Sequence, residues 1–118
     1  MIVKYLNRGI FLAGSIYKFD YSRYNIDPNP MIIYMSSYKI NSRKGYFNNF
    51  IYGLNLNYLM NSQVRESVSF LNKHIKLNRL SDWNLFINKF QYLHGILRKY
   101  NVKYISNIRK IDSMRLIK

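Results

Sequence analysis

The chain reads as a small α+β domain, and three observations carry that reading. Its first half alternates apolar and polar residues with a period of two. Its second half switches to a period near 3.6, and its last residues return to a strand-like alternation. Three strands, two helices and a closing strand predict a small curved antiparallel sheet or partly open barrel, with the two helices inserted before the terminal strand. At 118 residues there is room for a single domain spanning 1–118.

The elements follow in order. Gly14 marks a turn, after which Tyr17, Phe19 and Tyr21 alternate with Ile16, Lys18 and Asp20 and give the first strand an aromatic face. Residues 25–30 (Asn-Ile-Asp-Pro-Asn-Pro) hold both prolines and read as a loop, because a residue preceding proline is pushed to extended geometry. Residues 31–35 are a short apolar run, suited to a strand buried on both faces. Residues 41–45 form a basic hairpin tip, and 46–56 are extended again until Asn55, Asn57 and Tyr58 end the strand. Near Leu59 the period changes. Asn61 or Ser62 caps a helix in which Val64, Val68, Leu71 and Ile75 share a face. Ser81 or Asp82 caps a second, with Trp83, Phe86, Ile87, Phe90, Leu93 and Leu97 aligned and Gly95 as its end or bend. Ile105, Ile108 and Ile111 recur every three residues and predict a helical turn. The alternation of Met114 and Leu116 with Arg115 and Ile117 then predicts the terminal strand.

Charge narrows the function. Nineteen Lys and Arg face five Asp and Glu, a net charge of +14, so at most five cations find a carboxylate within the chain. The rest are hydrated or meet phosphate or an acidic protein. The abundance of Asn, Ile, Lys, Tyr and Phe fits AT-rich coding, which inflates Lys without selection for binding. It leaves the scarcity of acids unexplained, and that scarcity is the better clue.

The strongest candidate surface is the C-terminal run Arg98, Lys99, Lys103, Arg109, Lys110 and Arg115, with Lys118 beyond it and Tyr100 and Tyr104 interleaved. Cations position phosphates, and tyrosines stack on bases or hydrogen-bond phosphate oxygens. The alternative is the solvated face of a terminal helix. Lys39, Arg43 and Lys44 make a smaller cluster at the predicted hairpin tip. Tyr17, Phe19, Phe50, Tyr52, Trp83, Phe86 and Phe90 fall at strand or helix spacing and suit the core, whereas Tyr46, Tyr100 and Tyr104 stand beside cations as possible contacts.

Several classes lose support. With no cysteine there is no disulfide framework, cysteine zinc site or thiol nucleophile. His74 and His94 stand alone, and Glu66 and Asp82 suit helix starts. No phosphate-cradling glycine loop or nucleophile elbow is present. We therefore expect no catalytic residues, metal, cofactor or small-molecule substrate, and we read neither a membrane span nor a secretory signal.

Four phrases carry a family resemblance: residues 14–21 (Gly-Ser-Ile-Tyr-Lys-Phe-Asp-Tyr), the strand opening Pro30-Met31-Ile32-Ile33, residues 52–59 (Tyr-Gly-Leu-Asn-Leu-Asn-Tyr-Leu), and residues 97–106 (Leu-Arg-Lys-Tyr-Asn-Val-Lys-Tyr-Ile-Ser). Together they resemble a family of small, mostly uncharacterised proteins of tailed bacteriophages. Some members are labelled DNA end protectors and others are grouped with tail or baseplate parts. The most specific phrase is 53–59. The resemblance implies a phage setting and an SH3-like barrel, and no known active site. On these grounds we expect a structural component of a virion at the neck, tail or baseplate, assembled in the host cytoplasm and docked on other virion proteins, packaged DNA or both. A nucleic-acid-binding accessory protein and an organellar ribosomal protein bound to rRNA are the alternatives.

Overall fold

A computed structural model describes residues 11–23, 27–37, 50–74 and 80–118. Strand β1 (Ile16–Tyr21) follows a turn in which Gly14 takes φ 88°, a left-handed conformation that costs glycine nothing. Strand β2 (Met31–Ser37) begins directly after buried Pro30, and β3 is Phe50–Asn55. A 3-10 turn at Leu56–Tyr58 leads to helix α1 (Asn61–His74), which is followed by α2 (Leu80–Lys89) and a second 3-10 turn at Gln91–Gly95. Strands β4 (Leu97–Asn101) and β5 (Ile105–Ile111) come last, joined by the 3-10 turn Val102–Tyr104. The five strands form one antiparallel sheet in the order β4-β3-β2-β1-β5.

That order forces curvature. Strands β4 and β5 lie at opposite edges, four inter-strand steps apart, which is about 19 Å in a flat sheet. The four residue steps from Asn101 to Ile105 reach about 14 Å even when fully extended. The sheet must therefore curl until its edges approach at this corner. The rings on the inner face agree: Tyr100 of β4 lies 5.3 Å from Phe19 and 5.1 Å from Tyr21 of β1, three strands away in the sheet order. The Tyr21 hydroxyl then accepts a hydrogen bond from Asn101 N at 3.0 Å, tying β1 to the end of β4.

Each face has its own core. Tyr17, Phe19, Tyr21, Ile32, Tyr34, Ile51, Tyr100 and Ile105 fill the concave side with Phe11. On the convex side Ile16, Ile33 and Leu54 meet Val64, Val68 and Leu71 of α1 and Trp83 and Phe86 of α2. The register accounts for the division, since Tyr17 stands opposite Ile32 on one face and Ile16 opposite Ile33 on the other. Gly53 is required where β3 crosses β2, because an added Cβ would lie 2.5 Å from Ile32 Cδ1.

Three expectations need correction. The second helix does not run on through Leu97: it stops at Lys89, and Leu97 begins β4, where it is 42% exposed. Two strands, not one, therefore follow the helices. The isoleucines spaced by three are strand residues, not a helical turn. Tyr21 pairs with Ile105 and Asp20 with Ser106, but Lys18 pairs with Arg109, so β5 carries one extra residue in a bulge. Asn107 within it takes φ 53°, which asparagine tolerates better than most residues. The bulge turns a period of two into an apparent period of three, with Ile105 and Ile108 facing the concave core and Ile111 the convex one. Finally, residues 114–117 are not a strand. Asp112 caps a 3-10 turn at Ser113–Arg115 by accepting from Met114 N at 3.0 Å. The predicted hairpin tip and Ile75 lie outside the described residues.

Candidate polyanion interface

The carboxylates explain how exposed the positive charge is. Asp27 accepts from the side-chain amides of Asn55 and Asn57, and the Asn55 amide also donates to the Tyr100 hydroxyl at 3.0 Å. Asp20 accepts from Asn29 and Asn107, both at 2.6 Å. Glu66 accepts from the Tyr92 hydroxyl at 2.7 Å, and Asp112 is occupied as a cap. Four of the five acids in the chain thus spend their hydrogen bonds on neutral donors. The fifth, Asp82, sits in the first turn of α2. Few carboxylates are left to pair with cations.

Two phenols joined to these carboxylates are shifted upward, chiefly by burial. Burial pushes the Tyr100 hydroxyl well above the usual tyrosine range. The hydrogen bond from Asn55 opposes that shift, and the Asp27 charge adds to it. Burial likewise raises Tyr92, reinforced by its bond to Glu66. Tyr100 is 5% exposed and belongs to the concave core, so its expected role as a surface contact is overturned.

The candidate cations occupy three places rather than one patch. At the corner between β4 and β5, Lys103 Nζ and Arg23 Cζ each lie 5.2 Å from the centroid of half-buried Tyr104, a cation–π arrangement. Lys99, on the neighbouring strand, lies 4.5 Å from the Phe50 ring. Arg98 is more committed to the fold: it donates to the carbonyls of Gly95 and Leu97 and rests 4.7 Å over Tyr58. The second place is the other edge of the sheet. Arg109 of β5 stands opposite Lys18 of β1 on one face, and Lys110 stands opposite Tyr17 on the other. Like charges directly opposite each other are destabilising. Asp20 lies on the same face as Lys18 and lines a pocket with Arg109, so its charge offsets part of that repulsion while its oxygens accept from Asn29 and Asn107. The third place is the C-terminal turn, where Arg115 lines a cleft with Arg65 and Lys118. Lys39, Arg43 and Lys44 lie outside the described residues, as does Tyr46.

Both edge strands carry an Arg-Lys pair, Arg98-Lys99 on β4 and Arg109-Lys110 on β5. Charges there discourage edge-to-edge pairing with other chains. This explains part of the basic run without a ligand. It does not explain Lys18, Arg23, Arg65, Lys103 or Arg115. The first three were missed by sequence reasoning, because only strand pairing and helix docking bring them beside the C-terminal cations. Lys18 had one local signal, its place on the polar side of an alternating strand.

The phrase at 53–59 is also explained by the fold. Gly53 admits Ile32, Asn55 links Asp27 to Tyr100, and Asn57 donates to Asp27 and to the Asn29 carbonyl. These bonds tie the proline loop to the end of β3. Among the described residues, no group of three His, Asp or Glu side chains is placed to hold a metal ion. Among those residues no helix is long and apolar enough to cross a membrane. Comparison with family models, curated proteins and solved structures found no match to the chain.

Proposed function

We propose that this chain is a non-enzymatic docking module that seats its cationic surface on nucleic-acid phosphates, as a small structural component of a tailed-phage particle. The observation that carries this reading is the commitment of Asp20, Asp27, Glu66 and Asp112 to neutral donors. Those carboxylates keep their charge but make no direct pair with a cation in these bonds, and with all of them counted the chain still carries +14. Phosphate neutralises that excess, and Tyr104 between two cations suits contact with a strand. Carboxylates held in structural bonds are poorly placed to act as general acids or bases, which favours docking over catalysis. The phage setting rests on the resemblance of the four sequence phrases. An SH3-like barrel is supported by the curled five-stranded sheet whose edge strands are consecutive and joined by one 3-10 turn.

Binding of a labelled DNA duplex at low salt tests the docking, and the expected result is saturable binding. No detectable binding would remove nucleic acid as the partner. Mass spectrometry of purified particles tests the setting, since absence of the chain from mature virions would exclude a structural role there.

A further inference from the structure

We infer that the cleft between α1, the Leu56–Tyr58 turn and the C-terminal segment is a phosphate-binding site, gripped by Arg65, Arg115 and Lys118. The inference deepens the docking reading and rests on it where the phosphate belongs to nucleic acid. The cleft has a volume of about 380 Å³, and no Asp or Glu lines it. Asn57 and Asn61 line it beside the cations, so its exposed surface is mainly polar, with Leu56, Val64 and Leu116 also in its lining.

The three cations are brought together by the fold. Arg65 and Asn72 are seven residues apart on α1, two turns along one side of the helix. Asn72 accepts from the Ser113 hydroxyl at 3.1 Å, which docks the C-terminal turn on that side. The Asp112 cap fixes the turn's backbone, and Arg115 is its last residue. Glu66, next to Arg65 in sequence, is drawn away by Tyr92. Among the described residues Arg65, Arg115 and Lys118 have no side-chain hydrogen bond, ion pair or ring contact. Converging cations repel one another, and a fold that holds them around one concavity gains when an anion enters. Arginine suits the role because its planar fork meets two phosphate oxygens at once. The site differs from the pocket at the β5 edge, which Asp20 lines together with Arg109, in having no Asp or Glu in its lining.

The test follows backbone amide chemical shifts by NMR while the protein is titrated with inorganic phosphate and, separately, with AMP. DNA affinity is measured in parallel on the same samples. Saturable shifts are expected in residues 61–65 and 113–118, and they should vanish in the R65Q/R115Q double variant. DNA affinity of that variant should fall tenfold or more, since each lost charge-assisted contact is worth about tenfold. Shifts in the cleft without DNA binding would keep the site, assign it to a free phosphorylated ligand and remove the nucleic-acid reading. DNA binding that the double variant retains in full, with no shifts from either anion, would overturn the site and leave the docking reading intact. Absence of both responses would overturn both.

Discussion

The concave and convex faces of the sheet solve the same burial problem with different materials. The concave side closes on itself. Its tyrosine and phenylalanine rings meet edge-to-face, as in the 5.1 Å contact of Tyr21 with Tyr100, and their hydroxyls reach polar partners at the rim. The convex side cannot close and borrows two helices, which bring Val64, Val68, Leu71, Trp83 and Phe86 onto Ile16, Ile33 and Leu54. The difference teaches how far each core constrains its residues. The concave core needs specific residues in specific places, including a glycine and a buried asparagine. The convex core needs mainly apolar volume at helical spacing.

The comparison is broken most severely by removing one large ring from each core. Phe19→Ala and Phe86→Ala each delete a side chain with no exposed surface and should cost about 3–5 kcal/mol in urea unfolding. Both should shift one cooperative transition. A Phe86→Ala variant that loses helix while its strands stay folded would show that the two cores are independent units.

Gly53→Ala sharpens the contrast. The new methyl group would meet Ile32 on the concave side, at an expected cost of about 1–3 kcal/mol. Ile32→Val removes the nearest atom, Cδ1, but leaves Ile32 Cβ 2.8 Å from the new methyl, so it should restore only a small part of that loss. No such rescue is expected if the cost arises only from glycine's backbone freedom.

Smaller again is the effect of Tyr100→Phe, about 1 kcal/mol at neutral pH, because the Asn55 amide loses one acceptor. Its larger signature is alkaline. The Tyr100 hydroxyl titrates higher in the folded chain than its ordinary value of 10.0, so the folded state holds the proton more tightly. The corresponding stability is complete below pH 10.0 and is lost as the pH rises beyond it. Tyr92 acts in the same direction. Thermal unfolding of Tyr100→Phe should therefore fall less steeply above pH 10.0 than that of the parent chain. The smallest effect on stability belongs to R65Q/R115Q, which should stay within about 0.5 kcal/mol, since both side chains are exposed.

What could be read from the residues follows the same divide. The first three strands and the first helix declare themselves through periodicity and the proline loop, because β1 alternates an aromatic concave set with other residues, β2 is an apolar run packed on both faces, and α1 buries a single side. Strand β4 was hidden. Leu93 and Leu97 prolong the apolar spacing of α2, and only the break at Phe90 and the turn through Gly95 separate them. Strand β5 was disguised by one inserted residue at Asn107. Of the candidate interface, the C-terminal cations were legible as charge. Their division among three sites was not, because Lys18, Arg23 and Arg65 join them only through strand pairing and helix docking. The commitment of the acids was hidden for the same reason: Asp20 and Asn107 are far apart in the chain and meet only across paired strands.

The central claim is that the uncompensated cations of this α+β fold are neutralised by phosphate, and the salt dependence of DNA binding measures that directly. If four phosphates are contacted, log K should fall with log salt at a slope of about −3.6. Affinity that is absent at low salt, or that does not change as salt is raised, would contradict the claim.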